Sequence, residues 1–214
     1  MKALTFLMLM CIPLSANAKS AKCEFQQVDI DPFTKTAPFI ATERYRLTDW
    51  LTGVIRREMG NNAEFQVSAI REKDQDYLSL KVRFRRSMAD EPSAEDIRTG
   101  LVIPEGAKLF ILMADNSVTA LASDQTVTAN TRYEIDDGKY VIDSSTEIRY
   151  RLDAKAAEAL VSQDAMIGRF FAKSGRLGFV NSGGYFSFEM ARNSRDFFRQ
   201  AILCLQDYKV PDQT

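Results

Sequence analysis

Cysteine placement constrains this chain more than any other feature. Cysteines stand at positions 11, 23 and 204, and the first lies in a segment that reads as an export signal. Lys2 supplies a positive start, and Ala3 to Leu14 is apolar apart from Thr5, Cys11 and Pro13. Ala16-Asn17-Ala18 then has the small-x-small pattern that signal peptidase cuts. The apolar run is shorter than the roughly 20 residues of a membrane-spanning helix, so cleavage after Ala18 is expected and a transmembrane anchor is not. Leu9-Met10 before Cys11 lacks the small residues of a lipid-attachment site. The mature chain, residues 19–214, then carries two cysteines near its two ends, Cys23 and Cys204. In an oxidising compartment such a pair reads as one disulfide. It closes a loop of about 180 residues, worth at most about 5 kcal/mol in the chain-entropy view. A clasp between the two ends predicts a single domain over 19–214, in the periplasm or secreted.

Charge and side-chain inventory close several functions. The chain has 28 Lys plus Arg against 29 Asp plus Glu, and no histidine. Balanced charge argues against a nucleic-acid partner, which favours a basic excess. Without imidazole there is no Ser-His-Asp or Cys-His nucleophile and no His-based metal site. Gly-x-Ser-x-Gly, Ser-x-x-Lys and phosphate-loop motifs are missing as well. A hydrolase built on two carboxylates is the catalytic reading left open. Asp29 with Asp31, and Asp136-Asp137-Gly138, lack the ligand spacing of a calcium loop and read as turn chemistry. No catalytic residue, cofactor or metal is therefore expected.

Period-two patterning dominates the mature chain. Glu24 to Ile30 and Phe39 to Leu47 read as strands, followed by a helix opening at Thr48-Asp49 with Trp50, Leu51, Val54 and Ile55 on one side. Phe65, Val67 and Ala69, then Leu78, Leu80, Val82 and Phe84, alternate on two arms of a hairpin. Residues 87–99 read as a loop with a helical turn near Ala94 to Arg98. Leu109 to Met113 is continuously apolar, which predicts a strand buried on both faces. Val118 to Leu121 pairs back on it. Thr126 to Ile135 and Tyr140 to Ile142 flank a turn at 136–139, and Thr146 to Leu152 is a further strand. Asp153 caps a helix over Ala154 to Val161, and a last hairpin joins Met166 to Ala172 with Leu177 to Val180. Phe197, Phe198, Ala201, Ile202 and Leu205 recur at helical spacing, with Asn193 or Ser194 as cap. The sum is an α+β fold, a mainly antiparallel sheet with two or three helices packed on it, including a C-terminal helix. Thr42 to Leu47 and Thr146 to Leu152 also echo each other, which a duplicated unit would explain.

Short patches resemble a family. Cys23 followed by Asp31-Pro32-Phe33-Thr34-Lys35, and Ile103 to Leu109 followed by Ala114-Asp115-Asn116, resemble a loose set of uncharacterised small secreted bacterial proteins. Lys35 stands where that set more often has glycine. The resemblance implies an exported α+β domain and carries no activity or catalytic residue with it.

Two surfaces stand out as candidate contacts. Lys81, Arg83 and Arg85 project from one side of a hairpin, and Arg149 and Arg151 extend that basic stripe if their strands are neighbours. Arg169, Lys173 and Arg176 add to it on the same condition. The plainer reading is the solvated face of a sheet. Phe171 and Tyr185 belong to an aromatic stretch around the last hairpin, a composition shared by ligand pockets, interfaces and ordinary cores. The sequence thus predicts a non-catalytic binding or accessory protein that contacts an envelope protein, with an inhibitor or immunity protein of a cell-wall hydrolase as one form. The alternative is a carrier of a small apolar or anionic ligand, or of a lipid, with a pocket between the sheet and the C-terminal helix.

Overall fold

The computed structural model describes residues 23–31, 37–47, 62–98, 101–173 and 184–209. The segment read as an export signal, the helix expected after Thr48, the strand expected at Leu177 to Val180 and Arg176 lie outside these residues. The first strands are β1 (Phe25–Asp29), β2 (Phe39–Thr42), β3 (Tyr45–Arg46), β4 (Asn62–Glu72) and β5 (Gln75–Met88). A single helical turn, Ala94–Arg98, precedes β6 (Val102–Ile103), β7 (Lys108–Met113), β8 (Val118–Ala122) and β9 (Val127–Thr128). Then come β10 (Asn130–Asp136), β11 (Lys139–Arg151), helix α1 (Ala154–Ser162), β12 (Ala165–Phe171), β13 (Tyr185–Glu189) and helix α2 (Phe197–Asp207). The fold is α+β but dominated by antiparallel sheet, with two helices of two turns or more among the described residues.

The larger sheet runs β1-β2-β4-β5-β11-β10, with β3 also on β4. Its centre is the β4–β5 hairpin, in which Phe65 faces Val82 and Val67 faces Leu80. One strand, β11, replaces the two expected between Tyr140 and Leu152, and it pairs along β5 from Tyr140 opposite Met88 to Arg151 opposite Tyr77. Alternation survives across the polar join because Ser144 and Thr146 point inward; the Ser144 hydroxyl meets that of Thr131 at 2.8 Å. At the turn between β10 and β11, Asp137 and Gly138 both have positive φ, the requirement of a tight type I′ hairpin. The strand expected over Phe39 to Leu47 is interrupted. Thr42 is buried and its hydroxyl accepts a hydrogen bond from the Ala69 amide, so Glu43 and Arg44 step out of the ladder between β2 and β3. The sequence echo does not make equivalent structures: Tyr45 and Arg46 form a two-residue strand, whereas Tyr150 and Arg151 end the 13-residue β11.

The smaller sheet runs β13-β12-β7-β8, and β6 pairs separately with β9. β12 is flanked by β13 on one side and β7 on the other, so both of its edges are taken, by Tyr185–Glu189 and Lys108–Met113. The expectation that β7 is buried on both faces is corrected. Leu109, Ile111 and Met113 are buried, but Phe110 and Leu112 stand half-buried on the outward side. The two sheets meet through aromatic rings. Phe65 stacks on Phe188 at 4.3 Å between ring centres and lies 5.3 Å from Phe186, which also touches Phe84 at 5.3 Å. Each such fully buried ring contributes about 2–3 kcal/mol of transfer free energy.

The helices close one end. Asp153 Oδ1 accepts from the Ala156 amide at 2.7 Å and so caps α1. The cap of α2 is Asp196, not Asn193 or Ser194; Ser194 instead donates its hydroxyl to the Leu47 and Ala191 carbonyls. Ala201 and Leu205 of α2 pack on Ile40 and Ala69, covering the part of the large sheet that the small sheet leaves open. One turn apart on the same helix, Cys204 is joined to Cys23 with their α-carbons 5.3 Å apart. The clasp expected from the sequence is present, and it ties the start of β1 to α2. No helix among the described residues is long and apolar enough to cross a membrane.

Candidate functional site

The basic stripe is present as a placement, and three of its cations, Arg83, Arg85 and Arg149, are ion-paired. Because Leu78, Leu80, Val82 and Phe84 fill the core side of β5, Lys81, Arg83 and Arg85 take the outward side. Pairing sets Asp143, Glu147, Arg149 and Arg151 of β11 beside them. Arg83 grips Asp143 with both Nε and Nη2. Arg85 reaches Glu134 at 2.7 Å, and Arg149 reaches Glu72 at 2.7 Å. Lys81 stands opposite Glu147, and Arg151 is exposed at the strand end opposite Tyr77. The hydrogen bond from Arg83 holds the Asp143 carboxyl below the usual aspartate range, against the opposing effect of burial, and the same bond raises the Arg83 guanidinium. At Glu147, burial is the largest single influence and pushes upward. It is outweighed by the Ser79 hydroxyl, donating at 2.6 Å, and by Arg44, so the carboxyl ends below its ordinary value. Acid and base thus alternate over this face, as on a solvated sheet surface.

Phe171 and Tyr185 lie elsewhere. They project from the outer face of the small sheet, and since the two sheets pack through their inner faces, the sequence-predicted surface divides into two that point away from each other. Phe171 and Tyr185 are cross-strand partners with rings 5.4 Å apart. Beside them, register brings Phe110 opposite Arg169, and Leu112 opposite both Ile167 and Val118. Phe110, Leu112, Ile167 and Val118 form the floor of a groove of about 690 Å³, bordered by Arg169 and by Tyr185, Ser187 and Glu189 of β13. Val118 is 58% exposed and Tyr185 41% exposed, large values for apolar side chains on a sheet face. Arg169 sits at the rim of the groove. Its Nε donates to the Ser187 hydroxyl at 3.0 Å, and its guanidinium carbon lies 5.8 Å from the Tyr185 ring centre.

Phe110, Leu112, Val118, Ile167, Ser187 and Glu189 line the groove and were not among the candidate surface residues read from the sequence. The signal for two of them was present in the apolar run over β7, where alternate residues must face opposite ways even when all are apolar. At the place where a pocket was expected, between the sheet and the C-terminal helix, Phe198, Ala201, Ile202 and Leu205 of α2 are buried. Among the described residues no group of three or more Cys, Asp or Glu side chains is placed to hold a metal ion. Comparison of the chain with protein-family models, with curated proteins and with solved structures gave no match.

Proposed function

We propose that the protein is an exported, non-catalytic binding protein of the cell envelope whose binding surface is the outer groove of the small sheet. The observation that carries this reading is the groove itself. Its volume falls within the roughly 300–1,000 Å³ of small-ligand sites, and it joins an apolar floor to a few polar groups at the rim. The Cys23–Cys204 disulfide supports the exported location, because such bonds persist in oxidising compartments. The missing histidine and catalytic motifs support a binding role over an enzymatic one.

The test uses the mature, oxidised protein and a neutral dye that fluoresces in apolar surroundings. Saturable one-to-one binding is expected, with loss of affinity in Ile167→Asp and Leu112→Asp. Both side chains are outward, so these variants are expected to keep their thermal unfolding transition. Dye binding that both variants retain would overturn the assignment of the groove.

An envelope-protein partner, including a cell-wall hydrolase held inactive, is the second reading. The outer strand β10 favours it, because among the described residues β10 pairs only with β11 and leaves Ile135 69% exposed. A photo-activated cross-linker at position 135 should then capture one dominant envelope protein, and one at position 118 should not. Charge reversal at Arg83 and Arg85, near β10, should weaken that capture.

A further inference from the structure

From the geometry at Arg169 we infer that the groove takes a single-chain amphiphile with a carboxylate head, the chain lying over Phe110, Leu112 and Ile167. The inference rests on the reading of this groove as the binding surface and names its ligand class. Arg169 differs from Arg83 in how its fork is used. Arg83 spends both Nε and Nη2 on Asp143. Arg169 uses only Nε, on a neutral hydroxyl, and has no carboxylate partner among the described residues. Ser187 and the Tyr185 ring hold one side of its guanidinium, and its terminal N–H groups have no partner among the described residues. A guanidinium held in this way is preorganised to grip a carboxylate with two parallel hydrogen bonds.

Charge selects the head group further. Among the described residues lining the groove, Arg169 is the one cation and has no carboxylate partner, which matches one negative charge. Glu189, opposite Ile167 on the edge strand, also borders the groove and disfavours a second negative charge. A monoanionic carboxylate therefore fits better than a phosphate dianion. The apolar floor runs away from Arg169 across β12, β7 and β8 to Val118, giving the chain its direction. Contact with that floor supplies the non-directional part of the affinity.

The experiment measures displacement of the neutral dye by dodecanoate and by dodecanol, which share a chain and differ in the head. Both are used below their aggregation concentrations, with the oxidised mature protein. The wild type should bind dodecanoate about tenfold more tightly than dodecanol, the size of one charge-assisted hydrogen-bonded contact. Arg169→Gln should bring the two affinities together. Arg169 is exposed, so the variant should unfold at the wild-type temperature. In the wild type the preference should also fade as pH drops through the carboxylic-acid range, about 4 to 5. Equal affinities in the wild type, or a preference that survives in Arg169→Gln, would overturn the inference about the head group. If Ile167→Asp still binds both amphiphiles, or the wild type binds neither, the reading of the groove falls with it.

Discussion

Gly168 shows how tightly the inner face of the small sheet is specified. A β-carbon built there would lie 2.2 Å from the Phe188 ring, which sits across the strand pair and stacks on Phe65. That ring is buried, so it cannot swing aside into solvent. Gly168→Ala is expected to destabilise the fold by about 1–3 kcal/mol through overpacking, measured by chemical denaturation. Wild-type stability in that variant would mean that the two sheets are free to separate slightly. On the opposite side of the molecule, Asp143 tests electrostatics at the same scale. Its carboxyl is held low by Arg83, so its contribution is present above the ordinary aspartate value of about 4 and disappears as pH falls through the folded-state value. Asp143→Asn should cost about 1 kcal/mol at neutral pH, a modest figure because Arg83 is 42% exposed to screening solvent. The gap between wild type and variant should close on acidification. A gap that stays constant down to strongly acid pH would show that the pair adds nothing through its charge.

At the scale of elements, legibility followed local chemistry. Asp153 is a clear case: a carboxylate just before an Ala- and Leu-rich segment caps that helix, and the 2.7 Å bond to the Ala156 amide is the one such a cap makes. Asp153→Ala should therefore lower stability by about 1 kcal/mol, seen as a lower unfolding temperature, and Asp153→Ser should recover most of the loss. The β4–β5 hairpin was equally readable, because both arms alternate and a polar turn joins them. What local pattern does not contain is the identity of a non-local neighbour. Nothing in Met166 to Ala172 states that β7 lies on one side and Tyr185–Glu189 on the other; that choice is made by Phe186 and Phe188 seeking Phe65 across the core. For the same reason the arginines of β5 were visible as a stripe while their carboxylate partners were not. Asp143 and Glu134 come from strands about 50 to 60 residues away in sequence. The groove was hidden by composition, since an all-apolar run does not reveal which of its residues the fold leaves uncovered.

For the molecule as a whole, the decisive constraint is the bond between Cys23 and Cys204. Cys23 precedes β1, which among the described residues is at the edge of the large sheet and pairs only with β2. Phe25 and Val28 of β1, with Tyr208 beyond α2, give this corner only a small satellite cluster around Leu205 and Ala201. A strand with so little buried area is stabilised chiefly by being prevented from leaving, and the disulfide does that while shortening the unfolded chain's freedom. The 181-residue separation sets an upper contribution of about 5 kcal/mol in the chain-entropy view. Oxidised protein comprising residues 19–214, denatured without reductant, should thus show no titratable thiol, and reduction should lower the unfolding midpoint markedly. Cys23→Ser with Cys204→Ser should reproduce the reduced protein. Phe65 and Phe188 belong to a buried cluster separate from the one around Ala201 and Leu205 at the clasp, so amide hydrogen exchange in the double variant should accelerate first in β1 and the end of α2. Uniform acceleration across both sheets would instead mean that the clasp holds the fold as one cooperative unit, with no separately stable core beneath it.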